Sequence, residues 1–136
     1  VIYLANVSEA RMLALIFGLA AQESLVARLY SDNHADSPAD TAASFLEMSG
    51  HGYTPVLVPP LDWTITPGDP SVAEAPEVQW PFSAIGPPAP VYGVFFTWQT
   101  SGILAFQERL GGGPFMVSSA GDLLAYTPRV TLRPET

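Results

Sequence analysis

Apolar residues recur with two different periods along this 136-residue chain. Near the start, Met12, Leu13, Ile16, Phe17 and Ala20 follow the 3.6-residue spacing of one helix face, and Leu15 and Leu19 widen the stripe to most of the circumference. Asn6-Val7-Ser8-Glu9 reads as the helix start. Asn6 or Ser8 is suited to the cap, and Glu9 sits where the positive end of the helix dipole favours an acid. The pattern predicts an apolar helix over residues 8–21. A helix apolar on so many sides has to be covered, by its own domain or by a neighbour. In so short a chain, partial cover by another subunit is the expectation.

After Ser24 the period shortens to two. Residues 25–30 read as a strand with Arg28 on one face, followed by a polar loop over 31–40 and an extended stretch at 44–48. Gly50-His51-Gly52 turns the chain. Further strands are expected at 53–58, 62–66 and 78–83, the last alternating through Val78, Trp80 and Phe82. The clearest hairpin joins 91–98 to 103–110 around Gln99-Thr100-Ser101-Gly102. Gly111-Gly112-Gly113-Pro114 reads as a flexible joint, and strands at 115–118 and 123–132 finish the sheet. Pro128 is expected at an edge or bulge, having no N–H for the ladder. Val94-Phe95-Phe96 offers apolar groups to both faces, which suits a central strand or one covered by a partner. Residues 133–136 read as a short free end. The fold class is therefore mainly β, a β-sandwich or jelly roll with an N-terminal apolar α-helix, divided into a helical segment at 1–23 and a sandwich domain at 24–136.

Composition narrows the function classes. Charged residues make up only 13% of the chain, about half of the usual ~25%. There is no Lys; the cations are Arg11, Arg28, Arg109, Arg129 and Arg133, and thirteen carboxylates bring the net charge to −8. This argues against sequence-independent nucleic-acid binding, which needs a basic footprint. Without Cys there is no disulfide, thiol nucleophile or thiolate-bound zinc. The longest apolar run, 12–21, is far short of the ~20 residues of a membrane span. It has no basic flank, since Glu9 and Arg11 cancel, so no secretory signal is expected. A surface this poor in charge expects to be covered.

Candidate chemistry is sparse. Asp32, Asn33, Asp36 and Asp40 crowd one loop and offer oxygen ligands for Ca²⁺, but the spacing is not that of an EF-hand, and turn chemistry accounts for such a loop. His51 has Ser49 two residues away, without a nucleophile-elbow motif, and its two flanking glycines fit a turn. Glu47, Glu74, Glu77 and Glu108 would need to converge in pairs to cleave a glycosidic bond, and nothing brings two together. Trp63, Trp80, Trp98, Tyr53, Tyr92, Phe95 and Phe96 suit core and interface better than a sugar platform. The Gly111-Gly112-Gly113 run opens no helix and is no phosphate loop. Arg28 and Arg109, each in a strand among apolar neighbours, are expected to meet carboxylates in structural ion pairs.

Several segments share an order with one family. These are Asn6-Val7-Ser8-Glu9-Ala10-Arg11 before the helix, Leu25-Val26-Ala27-Arg28-Leu29-Tyr30-Ser31-Asp32-Asn33, Asp40-Thr41-Ala42, Ser49-Gly50-His51-Gly52-Tyr53, Trp63-Thr64-Ile65, Val91-Tyr92-Gly93-Val94-Phe95, Glu108-Arg109 and Gly121-Asp122. In order and spacing the chain resembles a family of small structural proteins of tailed bacteriophages, of the capsid-decoration or cement kind. The Pro-rich stretch 86–90 departs from that pattern. The resemblance implies a non-enzymatic virion protein on the capsid surface that binds the assembled coat lattice, with the major capsid protein as partner and self-association a further option. It implies no cofactor and no metal, and neither nucleic acid nor membrane as partner. The alternative is a neck, tail or head-completion component. A carbohydrate-binding module using the Trp residues and an enzyme are more distant readings. The residues expected to carry coat or subunit contacts are Met12, Leu13, Ile16, Phe17, Leu19, Phe95 and Trp98.

Overall fold

The computed structural model describes residues 2–132; the free end expected over 133–136 lies outside them. One helix, α1 (Asn6–Ile16), precedes strands β1 (Leu25–Tyr30), β2 (Val56–Val58), β3 (Thr64–Thr66), β4 (Ser71–Glu74), β5 (Val78–Pro81), β6 (Ala89–Val91), β7 (Gly93–Trp98), β8 (Leu104–Arg109), β9 (Phe115–Val117), β10 (Leu123–Tyr126) and β11 (Arg129–Leu132). The architecture is mainly β and sandwich-like. A four-stranded antiparallel sheet of order β2-β1-β7-β8 is accompanied by a three-stranded sheet, β11-β4-β3, and by the pairs β10-β5 and β6-β9.

Alternation along β1 and β7 assigns the faces of the large sheet. Leu25, Ala27 and Leu29 meet Val94 and Phe96 on one face, in register Ala27↔Phe96 and Leu29↔Val94. They join Val78, Trp80, Phe106 and Leu124 in the main core. On the other face Tyr30, Phe95, Leu104, Phe45 and Ala5 form a second core. β7 is thus buried on both sides and central, as its unbroken apolar run requires. Tyr30 reaches across to Gly93, its register partner. A Cβ at Gly93 would fall well inside contact distance of the Tyr30 hydroxyl and the Glu108 carbonyl oxygen, so glycine is there for space.

Several sequence expectations are corrected. The helix begins earlier and ends sooner than 8–21. Ala5 occupies the N-cap without a side-chain bond, and both Asn6 and Ser8 lie inside the helix. Gly18, at φ +70°, ends it, and the N–H groups of Leu19 and Ala20 turn back to the Ala14 carbonyl. The segment before the strands has no core of its own: Ile2 and Leu4 pack on the main core and Ala5 sits in the second. The run 123–132 is two strands, because Pro128 makes a buried corner at which the chain leaves β5 for β4, its carbonyl accepting the Ala75 N–H (3.1 Å). β4 was not expected, and the strand expected over 91–98 is divided, with Val91 closing β6 and Gly93 opening β7.

Replacing Gly93 by Ala forces Tyr30 or the β7–β8 ladder to move, a form of overpacking that costs about 1–3 kcal/mol. Guanidinium unfolding should show a lower midpoint with an unchanged slope. A midpoint equal to that of the parent protein would mean that Tyr30 does not pack over Gly93.

Candidate interaction surface

Polar contacts over long sequence distances seat α1 on the large sheet. Tyr3 and Gln107 exchange backbone hydrogen bonds (2.7 and 3.1 Å), extending the sheet beside β8. The Asn6 N–H donates to the Pro38 carbonyl (2.9 Å). The buried Ser8 hydroxyl donates to the Leu104 carbonyl (2.9 Å). Arg11 pairs with Glu23, and the other Glu23 oxygen accepts the N–H groups of Thr100 (2.6 Å) and Ser101 (2.9 Å) in the β7–β8 turn. Removal from water works to raise the Glu23 carboxyl, but the Ser101 and Thr100 amides and the Arg11 charge hold it below the ordinary glutamate value.

This seating decides which side of the helix faces out. Ser8 is buried, and Arg11, Met12 and Leu15 are half-buried. Leu13, Ile16 and Phe17 stand outward, 56%, 72% and 73% exposed, and Leu19 beyond Gly18 is 83% exposed. Leu13, Ile16 and Phe17 are spaced i, i+3, i+4, so they form one ridge. Beside it runs an apolar groove of about 620 Å³ floored by small residues, among them Ala10, Ala14, Ala42, Ala43 and Gly102. Met12 also lines a second apolar cleft, of about 280 Å³, whose walls include Trp63, Ile65, Trp98 and Leu132.

Four of the seven residues expected at an interface, Leu13, Ile16, Phe17 and Leu19, are therefore on the surface together. Met12 and Trp98 are half-buried in the cleft next to them. Phe95 does not belong with the group. It is 2% exposed and stacked on Phe45 at 4.8 Å inside the second core, so no partner can reach it. Leu61, Ile65 and Leu132, not expected at an interface, are also exposed. The only hint in the sequence was Ile65 standing between two threonines.

No family model, curated protein or solved structure matches the chain.

The titratable residues that invited chemical readings are engaged in holding loops. Asp40 accepts from His34 Nε2 (2.9 Å), the Ser37 N–H (2.9 Å) and Gln107 Nε2 (2.8 Å), and Gln107 Nε2 also donates to Asp36 (2.8 Å). Asp32 accepts the Leu46 N–H (3.1 Å). The acidic loop is thus pinned to β8 by its own carboxylates, and among the described residues no group has the arrangement to hold a metal ion. His51, at φ +53°, reaches the Pro87 carbonyl through Nε2 (2.8 Å) and so staples the Pro-rich loop to its turn. The four glutamates engage different partners: Glu47 takes Arg28 and the Tyr53 hydroxyl, Glu108 the Tyr126 hydroxyl, Glu74 Arg129, and Glu77 the Gln79 amide. Arg28 has its carboxylate, as expected. Arg109 instead donates to the Asn33 side chain (2.5 Å) and the His34 carbonyl (3.1 Å), and lies 5.3 Å from the centre of the Tyr92 ring.

Burial works to raise the Asp40 carboxyl, but hydrogen bonds from His34, Ser37 and Gln107 bring it below the ordinary aspartate value. A carboxyl lowered in the folded state contributes stability that is present above its unfolded pKa of ~3.9 and is lost as pH falls through the lower folded value. This contribution should therefore be fully present from neutral pH to about pH 5 and should fade below pH 4. Asp40→Asn should cost about 1–3 kcal/mol at pH 7 and flatten the acid limb. Thermal melts of both proteins from pH 7 to pH 2.5 test this. Parallel curves would show that Asp40 contributes nothing to the acid limb.

Proposed function

We propose that this chain is a capsid decoration protein of a tailed bacteriophage, attached to the assembled coat lattice by the outward ridge at the end of α1. The observation that carries the reading is the exposure of Leu13, Ile16, Phe17 and Leu19 together. Fully burying one such side chain contributes about 1.5–3 kcal/mol, so four neighbours give a contact large enough to anchor a small protein. Contiguous apolar patches on a chain this poor in charge are interaction sites by default. The family resemblance supplies the setting: the outer surface of a virion, with the major capsid protein as partner. A protein that binds the assembled shell and not its free subunits stabilises the shell by mass action. The net charge of −8 suits a position away from packaged DNA.

The role proposed is binding rather than catalysis. The acids and histidines considered for chemistry serve as ties between loops and strands. The ridge is a better target for a test than the whole N-terminal segment, because Ala5 and Ser8 belong to the interior. The triple variant Leu13→Ser, Ile16→Ser, Phe17→Ser should keep its circular dichroism spectrum and lose at least 100-fold in affinity for undecorated shells of the phage encoding it, on the order of 3 kcal/mol or more. Binding equal to that of the parent chain would remove the ridge from the account.

A further inference from the structure

The outward side of α1 carries one charge. Glu9 lies four residues before Leu13 and seven before Ile16, on the same exposed side of the helix. It has no side-chain partner among the described residues. The described cations are committed elsewhere: Arg11 to Glu23, Arg28 to Glu47, Arg129 to Glu74, and Arg109 to Asn33 and the ring of Tyr92. The ridge therefore presents three apolar side chains and, at its N-terminal end, a carboxylate that meets the positive end of the helix dipole but is paired with no side chain among the described residues.

That charge selects among occupants. A second copy is disfavoured in either direction. In a parallel pair Glu9 faces Glu9. In an antiparallel pair Glu9 faces the C-terminal end of the other helix, which is negative by its dipole and has no basic residue in its last turn. The net charge of −8 on each copy adds to the repulsion. An anionic lipid surface meets the same objection. A protein groove with apolar walls and an Arg or Lys at one end meets none.

We infer that the Glu9–Leu13–Ile16–Phe17 face docks as a helix in an apolar groove of its protein partner, and that a basic side chain of that partner at the groove's end pairs with Glu9. The inference rests on the reading of the α1 ridge as the attachment surface, and adds the chemistry of the surface that receives it. The apolar anchors supply most of the affinity, as in other helix-in-groove contacts. The ion pair sets direction and register, since a groove that accepts only Leu13, Ile16 and Phe17 tolerates reversal or a slip of one turn.

The test measures binding of the full chain to undecorated shells at 50 and 500 mM salt. Glu9→Gln should weaken binding about 5-fold at low salt and Glu9→Arg about 30-fold or more, with both gaps shrinking at high salt. Thermal melts of the variants separate this from any loss of helix stability. If both variants bind as the parent does while the Leu13, Ile16, Phe17 triple serine variant fails to bind, the groove has no cation and the inference falls, although the attachment reading stands. If the triple variant also binds normally, both fall. A dimer of the parent chain in sedimentation that dissolves on Ile16→Asp would make the occupant a second copy and overturn the inference.

Discussion

The two-sided burial of β7 is the constraint on which the rest of the structure depends. Val94 and Phe96 serve the main core, while Phe95 serves a second core closed by Tyr30, Phe45, Leu104 and Ala5. Ala5 is also the N-cap of α1. The second core therefore fixes where the helix starts, and the Ser8 hydroxyl on the Leu104 carbonyl fixes its rotation. With start and rotation set, the helix ends at Ile16, leaving Ile16 and its C-cap Phe17 largely exposed. The exposed ridge follows from how the interior is satisfied.

Burial on both faces also consumes polar groups. Gln107 lies fully buried in β8, and its amide needs acceptors. Asp36 and Asp40 provide them, which draws the acidic loop onto the sheet and makes it a clamp instead of a ligand shell. Arg109, two residues further along β8, braces the same loop. With so few cations in the chain, and the described ones committed to such ties, the charge left for the surface is acidic. On the proposed reading this acidic surface faces outward from the capsid, and Glu9 carries it into the attachment site.

The parts of the fold legible in the sequence are those where local pattern and global environment agree. Residues 25–30 alternate around Arg28, and the 91–98 and 103–110 hairpin pairs two strongly apolar runs across a turn ending in Gly102; they became β1, β7 and β8. β4 and β6 are three or four residues long and hemmed by prolines, too short to show a period. The run 123–132 looks continuous because its pattern does not register that Pro128 changes the sheet it serves. The apolar ridge of α1 was legible as a stripe, but its outward direction was not. The inward side is defined by Ser8 and Arg11, polar residues whose partners, Leu104 and Glu23, are specified only by the tertiary structure. Phe95 was misassigned for the same reason: the Tyr30 and Phe45 rings that cover it come from distant segments.

The proposed role is tested most directly by the copy ratio of this chain to the major coat protein in purified virions, measured by quantitative peptide mass spectrometry. A lattice-wide decoration protein should be present at close to the abundance of the coat itself. A few copies per particle would contradict that role and point to a neck or tail position, where the same ridge would serve a ring and not a shell.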